Sequence, residues 1–360
     1  MWQGIQGHDE VVERFRRSLQ RGRLASTFLF VGPAGIGKRT FALKLAQALL
    51  CQNGEMDSLD PCGACDNCLQ AVAGVHPDLL LVAKPADKSF IPLSLFVGDE
   101  QRRMREGLCH DIGLKPFMGG RRIALIDDAD YLNEEGANAL LKTLEEPPPR
   151  SVLILIGTSA DKQLPTIRSR SQIVSFRPLA DDVVADLLVS QGLIADPVEA
   201  RRLSQFSEGS LERAVELADP ELWQFRQELL GQFAKSRFDS VQFARRTIEF
   251  IDAAGKEAAA RRNRTRQIIR FAVDFFRQRM RVASGLAPVG DADLCRAAES
   301  ATDHGDLEQL AALADRSLEA LIHVDRNAHQ AALVECWLDD LAEGLAGRAS
   351  GRAMLSSGAG

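Results

Sequence analysis

No run of about eighteen apolar residues occurs in the 360-residue chain, so a membrane-spanning helix is not expected. The opening residues, MWQGIQGHDE, carry no basic region followed by an apolar stretch. No secretory signal is therefore expected, and the predicted compartment is the reducing cytoplasm. An excess of positive charge is missing too. The formal net charge is −6, with 44 Lys and Arg against 50 Asp and Glu. Such a surface does not attract nucleic acid as a whole, although local patches can. No internal repeat is visible, and no strand pattern is convincing after Pro178. A hydrophobic content of 45% and a charged content of 26% describe an ordinary globular protein, long enough for two or three domains. In a reducing compartment the seven cysteines suggest metal binding or bystander thiols rather than disulfides.

The stretch FLFVGPAGIGKRTFALKLAQALL, residues 28–50, organises the rest. Its apolar opening is the pattern of a buried strand, and residues 41, 42, 45, 46, 49 and 50 are apolar at helical spacing. Between them Gly32, Gly35, Gly37 and Lys38 form Gly-x4-Gly-Lys, the phosphate-binding loop in its strand–loop–helix context. The glycines let backbone N–H groups converge on one anion, and the helix adds its positive end. Lys38 would reach the terminal phosphates of a nucleotide such as ATP. The next position should carry a hydroxyl for magnesium. Here it is Arg39, which cannot ligate a cation, and Thr40 comes one place late.

Cys51, Cys62, Cys65 and Cys68 follow as C-x10-C-x2-C-x2-C. Two-residue gaps let neighbouring thiolates converge, and four sulfurs would complete a closed, structural tetrahedral Zn2+ site. An iron–sulfur cluster and four unrelated thiols are the alternatives. His76 reads as a bystander, and Cys109, Cys295 and Cys336 as packing residues. Residues 79–83 resemble a second strand, and Met104–Ile112 a helix. A strand at residues 123–126 ends in Asp127 and Asp128, a Walker B pattern in which the first carboxylate holds the magnesium water shell and the second activates water. Asn133 is expected to cap a helix that stops before Pro147-Pro148-Pro149. Residues 152–156 and 172–176 supply a fourth and a fifth strand. Alternating strands and helices predict an α/β domain with a mainly parallel sheet, and an all-α region follows from about residue 222.

Four passages together resemble the clamp-loader subunits of the AAA+ superfamily, most closely the delta-prime family of bacterial DNA polymerase III. They are GPAGIGK, the four-cysteine module directly after the loop helix, NALLKTLEEPPP, and RSRS. The resemblance is strong over residues 4–177 and weaker to about residue 220. Beyond that it rests on position and on Arg326-Asn327-Ala328-His329. It implies a RecA-like domain at 1–177 with a zinc module at 51–68, a helical lid at 178–220 and a helical collar at 221–346. A disordered tail is expected at 347–360. The implied partners are gamma/tau and delta subunits, a sliding clamp and primed DNA. The resemblance also assigns Arg170, in Ser169-Arg170-Ser171, as an arginine finger reaching a neighbour's ATP, and Thr158 as a first sensor.

Three departures argue against hydrolysis by this chain itself. Arg39 replaces the magnesium-binding hydroxyl, and Asp128 stands where active relatives have Glu. Glu212 stands where they carry a phosphate-sensing Arg, with Arg213 turned by about 100°. The expectation is a stator subunit. The alternatives are an active gamma/tau-type ATPase, against which the absence of a long extension after the collar also argues, and a zinc-ribbon DNA-binding protein with a relic loop. Arginines 14, 16, 17, 21 and 23 read as a solvated face. The helix Arg261–Arg281, rich in arginine, reads as a collar helix with a basic face, with DNA or a partner as the sharper alternative.

Overall fold

The computed structural model describes residues 2–54, 59–85, 88–103, 105–118, 120–235, 237–301, 306–326 and 328–347. The expected tail, after Gly347, lies outside the described residues. The chain divides into two compact units, one spanning Met1–Ala218 and one beginning at Asp219.

The first unit runs α1 (Asp9–Gln20), β1 (Thr27–Val31), α2 (Lys38–Leu50), α3 (Asp66–Ala73), β2 (Leu79–Val82), α4 (Ser94–Val97), α5 (Leu108–Asp111), β3 (Arg122–Ile126), α6 (Glu134–Glu145), β4 (Ser151–Ile156), α7 (Pro165–Arg168), β5 (Gln172–Ser175), α8 (Asp181–Ser190), α9 (Pro197–Phe206) and α10 (Leu211–Glu216). The five strands form one sheet in the order β2-β3-β4-β1-β5, with every pairing parallel. β1 and β4 lie inside and are buried at every residue, so their sequences are continuous apolar runs. Side chains alternate between two cores. Phe28, Phe30, Ile154 and Ile156 pack with α1 and α2, whereas Leu29, Val31, Leu153 and Leu155 pack on the opposite face with α6. The carboxyl ends of β1, β3 and β4 therefore lie side by side, and that rim is where ligands bind in open parallel sheets.

Helix α6 starts as expected, with the Asn133 side chain accepting from Gly136 N at 2.9 Å. The expected helix Met104–Ile112 is corrected. Met104 lies outside the described residues, and of the others only Leu108–Asp111 form the helix. Gly107 is the reason. Its φ is +91°, and an added Cβ would lie 2.7 Å from Gly98 N and 2.8 Å from the Phe96 carbonyl, so the chain turns sharply there. Two short helices, α9 and α10, lie on either side of Gly209.

The second unit contains α11 (Pro220–Phe233), α12 (Ser240–Asp252), α13 (Ala258–Ala283), α14 (Ala292–Ser300), α15 (Leu307–Asp325) and α16 (Gln330–Leu345). Its centre is aromatic. Phe233 meets Phe275, Phe276 and Trp337, and the fully buried Trp337 donates Nε1 to Ser317 Oγ at 3.1 Å. The arginines of α13 brace this unit. Arg264 pairs with Asp219, Arg266 with Asp325 at 2.8 Å and Arg261 with Asp252 at 3.2 Å. The buried Arg279 donates to Ala298 O at 2.8 Å, and Arg281 to Ala287 O at 3.1 Å. Among the described residues no helix is long and apolar enough to cross a membrane.

Candidate functional site

The loop after β1 curls as its glycines require. Gly32, Gly35 and Gly37 take φ of 152°, 71° and 92°, and α2 begins directly after Gly37. Gly32 N donates to Thr158 O at 3.1 Å, tying the loop to the end of β4. His8, which the sequence reading passed over, braces the loop from the other side through Nε2 and Ile36 O, 2.7 Å apart. The Lys38 ammonium turns back onto the loop, donating to Gly32 O at 2.6 Å and to Pro33 O. Burial lowers the Lys38 pKa, opposed by Asp130, Asp127 and Glu212.

Arg39 points across to the Walker B carboxylates. Its Nε lies 3.4 Å from Asp127 Oδ2. A guanidinium thus stands beside the carboxylate that should hold the magnesium shell, and a second cation there meets like charge. The residues present do not fit magnesium in the usual manner. Thr40 is exposed one position on. Asp128 sits in left-handed backbone at φ 56°, and its pKa is raised by burial and then by Asp127.

The third aspartate of this turn was not singled out in the sequence, yet the structure makes it the hub. Asp130 accepts from Thr158 N at 2.9 Å, from Thr158 Oγ1, and from Gln163 Nε2 at 2.8 Å. The Thr158 hydroxyl is therefore already engaged. Removing a carboxylate that satisfies several donors costs about 1–3 kcal/mol for each donor left unsatisfied. With three donors released, Asp130→Ala is expected to destabilise the chain by about 3 kcal/mol or more on that basis, and Asp128→Asn by much less, because Asn tolerates left-handed backbone. Chemical denaturation of both variants checks this order.

The start of α10 packs against the loop. Leu211 N donates to Gly35 O at 3.0 Å. A Cβ at Gly35 would lie 2.7 Å from Glu212 Cβ and 3.0 Å from its Oε2, so only glycine leaves room for α10 here. Glu212 accordingly sets a carboxylate against the glycine loop. Arg213 does not substitute for the missing arginine, because it is buried and pairs with Glu208 at 2.5 Å.

Arg170 lies after α7, away from these groups in the chain. Its Nη2 donates to Glu145 Oε1 at 2.6 Å, and its Nη1 to Thr166 O at 3.1 Å and to Ser169 Oγ at 3.2 Å. Glu145 is a third residue that sequence reasoning missed, although it lies within the LLKTLEEPPP run.

The four cysteines do come together. Their sulfurs all lie within 4.8 Å of one another, with Cys51–Cys65 and Cys62–Cys68 each at 4.0 Å. Four thiolates about 2.3 Å from one zinc ion would be spaced roughly 3.8 Å apart, so the donor set fits a tetrahedral metal. Backbone N–H groups already point at the sulfurs, Cys62 N at Cys51 and Cys65 N at Cys62, both at 3.3 Å. The N–H groups of Ala64 and Cys65 hold the Cys62 thiol down at about 6, whereas burial pushes Cys68 up to about 12. The module is tied to α2 and to the chain start through Asn67 Nδ2 to Leu50 O at 2.8 Å and Trp2 Nε1 to Leu59 O at 2.9 Å. His76 lies outside the cluster, with its Nδ1 accepting from Asp78 N at 3.0 Å.

A family model described as "DNA polymerase III, delta subunit" matches residues 7–180. The DNA polymerase III subunit delta' of Bacillus subtilis (strain 168) is 33% identical over 208 residues, covering 58% of this chain and 58% of that protein. The subunit delta' of Pseudomonas aeruginosa is 36% identical over 181 residues, covering 50% of this chain and 51% of that protein. The gamma/tau subunit of Mycobacterium bovis is 31% identical over 196 residues, covering 53% of this chain and 32% of that protein. The matched region thus spans little more than half the length of the delta' relatives and about a third of the gamma/tau relative.

Proposed function

We propose, for a chain that belongs through residues 7–180 to the DNA polymerase III delta-prime clamp-loader family, the role of a stator in a cytoplasmic hetero-pentameric clamp loader. It stands beside gamma/tau and delta subunits and lends Arg170 to a neighbour's ATP. The assembly would use that ATP to place a sliding clamp on primed DNA. The observation that carries the reading is the Arg39–Asp127 pair, which puts a guanidinium beside the carboxylate that a hydrolytic site would use for magnesium. Glu212 against the phosphate loop supports it, as does the exposed setting of Arg170.

Within this role, Cys51, Cys62, Cys65 and Cys68 would hold one Zn2+. A four-thiolate set leaves no open position, so the ion would supply cross-linking and no chemistry. The domain plan is a nucleotide-type domain at 1–177, a lid at 178–220 and a collar at 221–346.

The test is magnesium-dependent ATP hydrolysis by the isolated chain. No turnover is expected above the background of the Lys38→Ala variant, and Lys38→Ala is expected to leave the assembled loader's rate within about twofold, an effect too small for a phosphate-bound lysine. Turnover that disappears in Lys38→Ala would instead make the chain an active gamma/tau-type ATPase.

A further inference from the structure

Two of the sequence passages that mark the family meet at one ion pair. Glu145 is the last residue of α6, in LLKTLEEPPP, and its carboxylate receives Arg170, from RSRS, at 2.6 Å. Its position in the helix is unfavourable on its own terms. Carboxylates are stabilising at helix N-termini and destabilising at C-termini, where the macrodipole is negative. Yet Glu145 and Glu146 together end α6, just before Pro147 stops it. The guanidinium of Arg170 answers that charge. The neighbouring arginine of the motif, Arg168, has a separate partner in Asp161 at 3.3 Å, so the pairing of Arg170 with Glu145 is not a generic gathering of charge.

The guanidinium is held on two sides. Glu145 takes Nη2, while Thr166 O and Ser169 Oγ take Nη1. The second pair of bonds is local and fixes where the side chain leaves the backbone. The bond to Glu145 reaches across to a different helix and fixes where the charged tip rests. Both partners remain partly exposed, with side-chain exposures of 34% for Arg170 and 51% for Glu145. An exposed carboxylate–guanidinium pair is weak, whereas a guanidinium facing a phosphate makes charge-assisted, fork-shaped contacts.

We infer that Glu145 is a resting latch on Arg170: its carboxylate stands in for a phosphoryl group until a neighbouring subunit's nucleotide replaces it. Glu145 is a positioning residue that acts through Arg170 and touches no reacting atom. The latch competes with the neighbour's ATP, so it raises the nucleotide concentration the neighbour needs without altering the rate once the finger has engaged. The inference rests on the reading of Arg170 as a finger in trans.

The experiment measures ATP turnover by the assembled loader with clamp and primed DNA for wild type, Glu145→Gln, Arg170→Ala and the double variant. Glu145→Gln is expected to lower half-saturating ATP by about two- to fivefold, the strength of an exposed ion pair, with maximal rate unchanged. In the Arg170→Ala background the same substitution is expected to change nothing. A fall in maximal rate, an unchanged half-saturation, or an equal shift without Arg170 each overturns the latch. If Arg170→Ala itself leaves turnover intact, the finger reading has failed, and the latch is then judged on the isolated chain. There, 15N spectra should show slowed Arg170 guanidinium rotation in wild type that is lost in Glu145→Gln. A signal unaffected by Glu145→Gln means that the carboxylate does not hold the arginine.

Discussion

Replacing Arg170 with alanine is expected to slow ATP turnover at the adjoining subunit's site by about a thousandfold or more, the effect of removing an arginine finger. That factor corresponds to about 4 kcal/mol of lost transition-state stabilisation. In the proposed role the guanidinium would contact the bound nucleotide and then answer charge that spreads over the phosphoryl oxygens during transfer, so the loss should appear in the maximal rate together with a smaller, few-fold rise in half-saturating ATP. The chain itself should fold normally. Arg170 is partly exposed, and its pair with Glu145 contributes at most about 1 kcal/mol. Arg170→Lys should rescue little, because a lysine keeps the charge without the planar fork. Clamp loading and single-turnover hydrolysis by the reconstituted loader would be measured together. A rate for Arg170→Ala within a few-fold of wild type would overturn the proposed finger role.

Loss of the metal comes second in size. One zinc per chain is expected by elemental analysis of protein purified without chelator, with no iron and no visible absorbance. Cys68→Ser is the sharpest substitution, because Cys68 is fully buried at the start of α3 and carries that helix into the cluster. A structural zinc site supplies folding free energy directly, about 10–16 kcal/mol in isolated fingers. Here the module leans on α2 through Asn67 and on Trp2 through Leu59, so part of its fold is expected to survive metal loss. If about 4 kcal/mol is lost, a domain of this size melts roughly 8–16 °C lower. Hydrogen exchange should place the change in α3 and the loop before it. Metal-free protein with an unaltered melting curve would make the four thiols a coincidence of packing.

Much of the first unit was legible because its signals are local. A strand buried on both faces must be an apolar run, and the five strands appear within a residue or two of their sequence patterns. The Asn133 cap and the stop at Pro147 depend on neighbours a few residues away. The helix expected at Met104–Ile112 failed where a non-local fact intervened, since Gly107 is pressed against Gly98 and Phe96. Local periodicity carries no information about such a contact.

The candidate site divides the same way. Gly32, Gly35, Gly37, Lys38, Asp127, Asp128 and the four cysteines could be chosen from residue type and spacing, because phosphate, magnesium and zinc chemistry each demand particular donors, whereas Thr158 and Arg170 were picked out only by the family resemblance. The direction in which those donors point came only from the fold. Asp130 looked like one more acid in a turn, and the parallel pairing of β3 with β4 places it under Thr158. Arg39 looked like a missing hydroxyl, and only the approach of the ends of β1 and β3 reveals it as a cation facing Asp127. Glu145 looked like a helix-ending acid until α6 and the segment after α7 met. Sequence alone determined which chemical groups this protein carries, since composition and local spacing are written along the chain. Tertiary structure decided which charges neutralise one another, because electrostatic energy depends on distance through space, and that distance is set by the packing of the sheet.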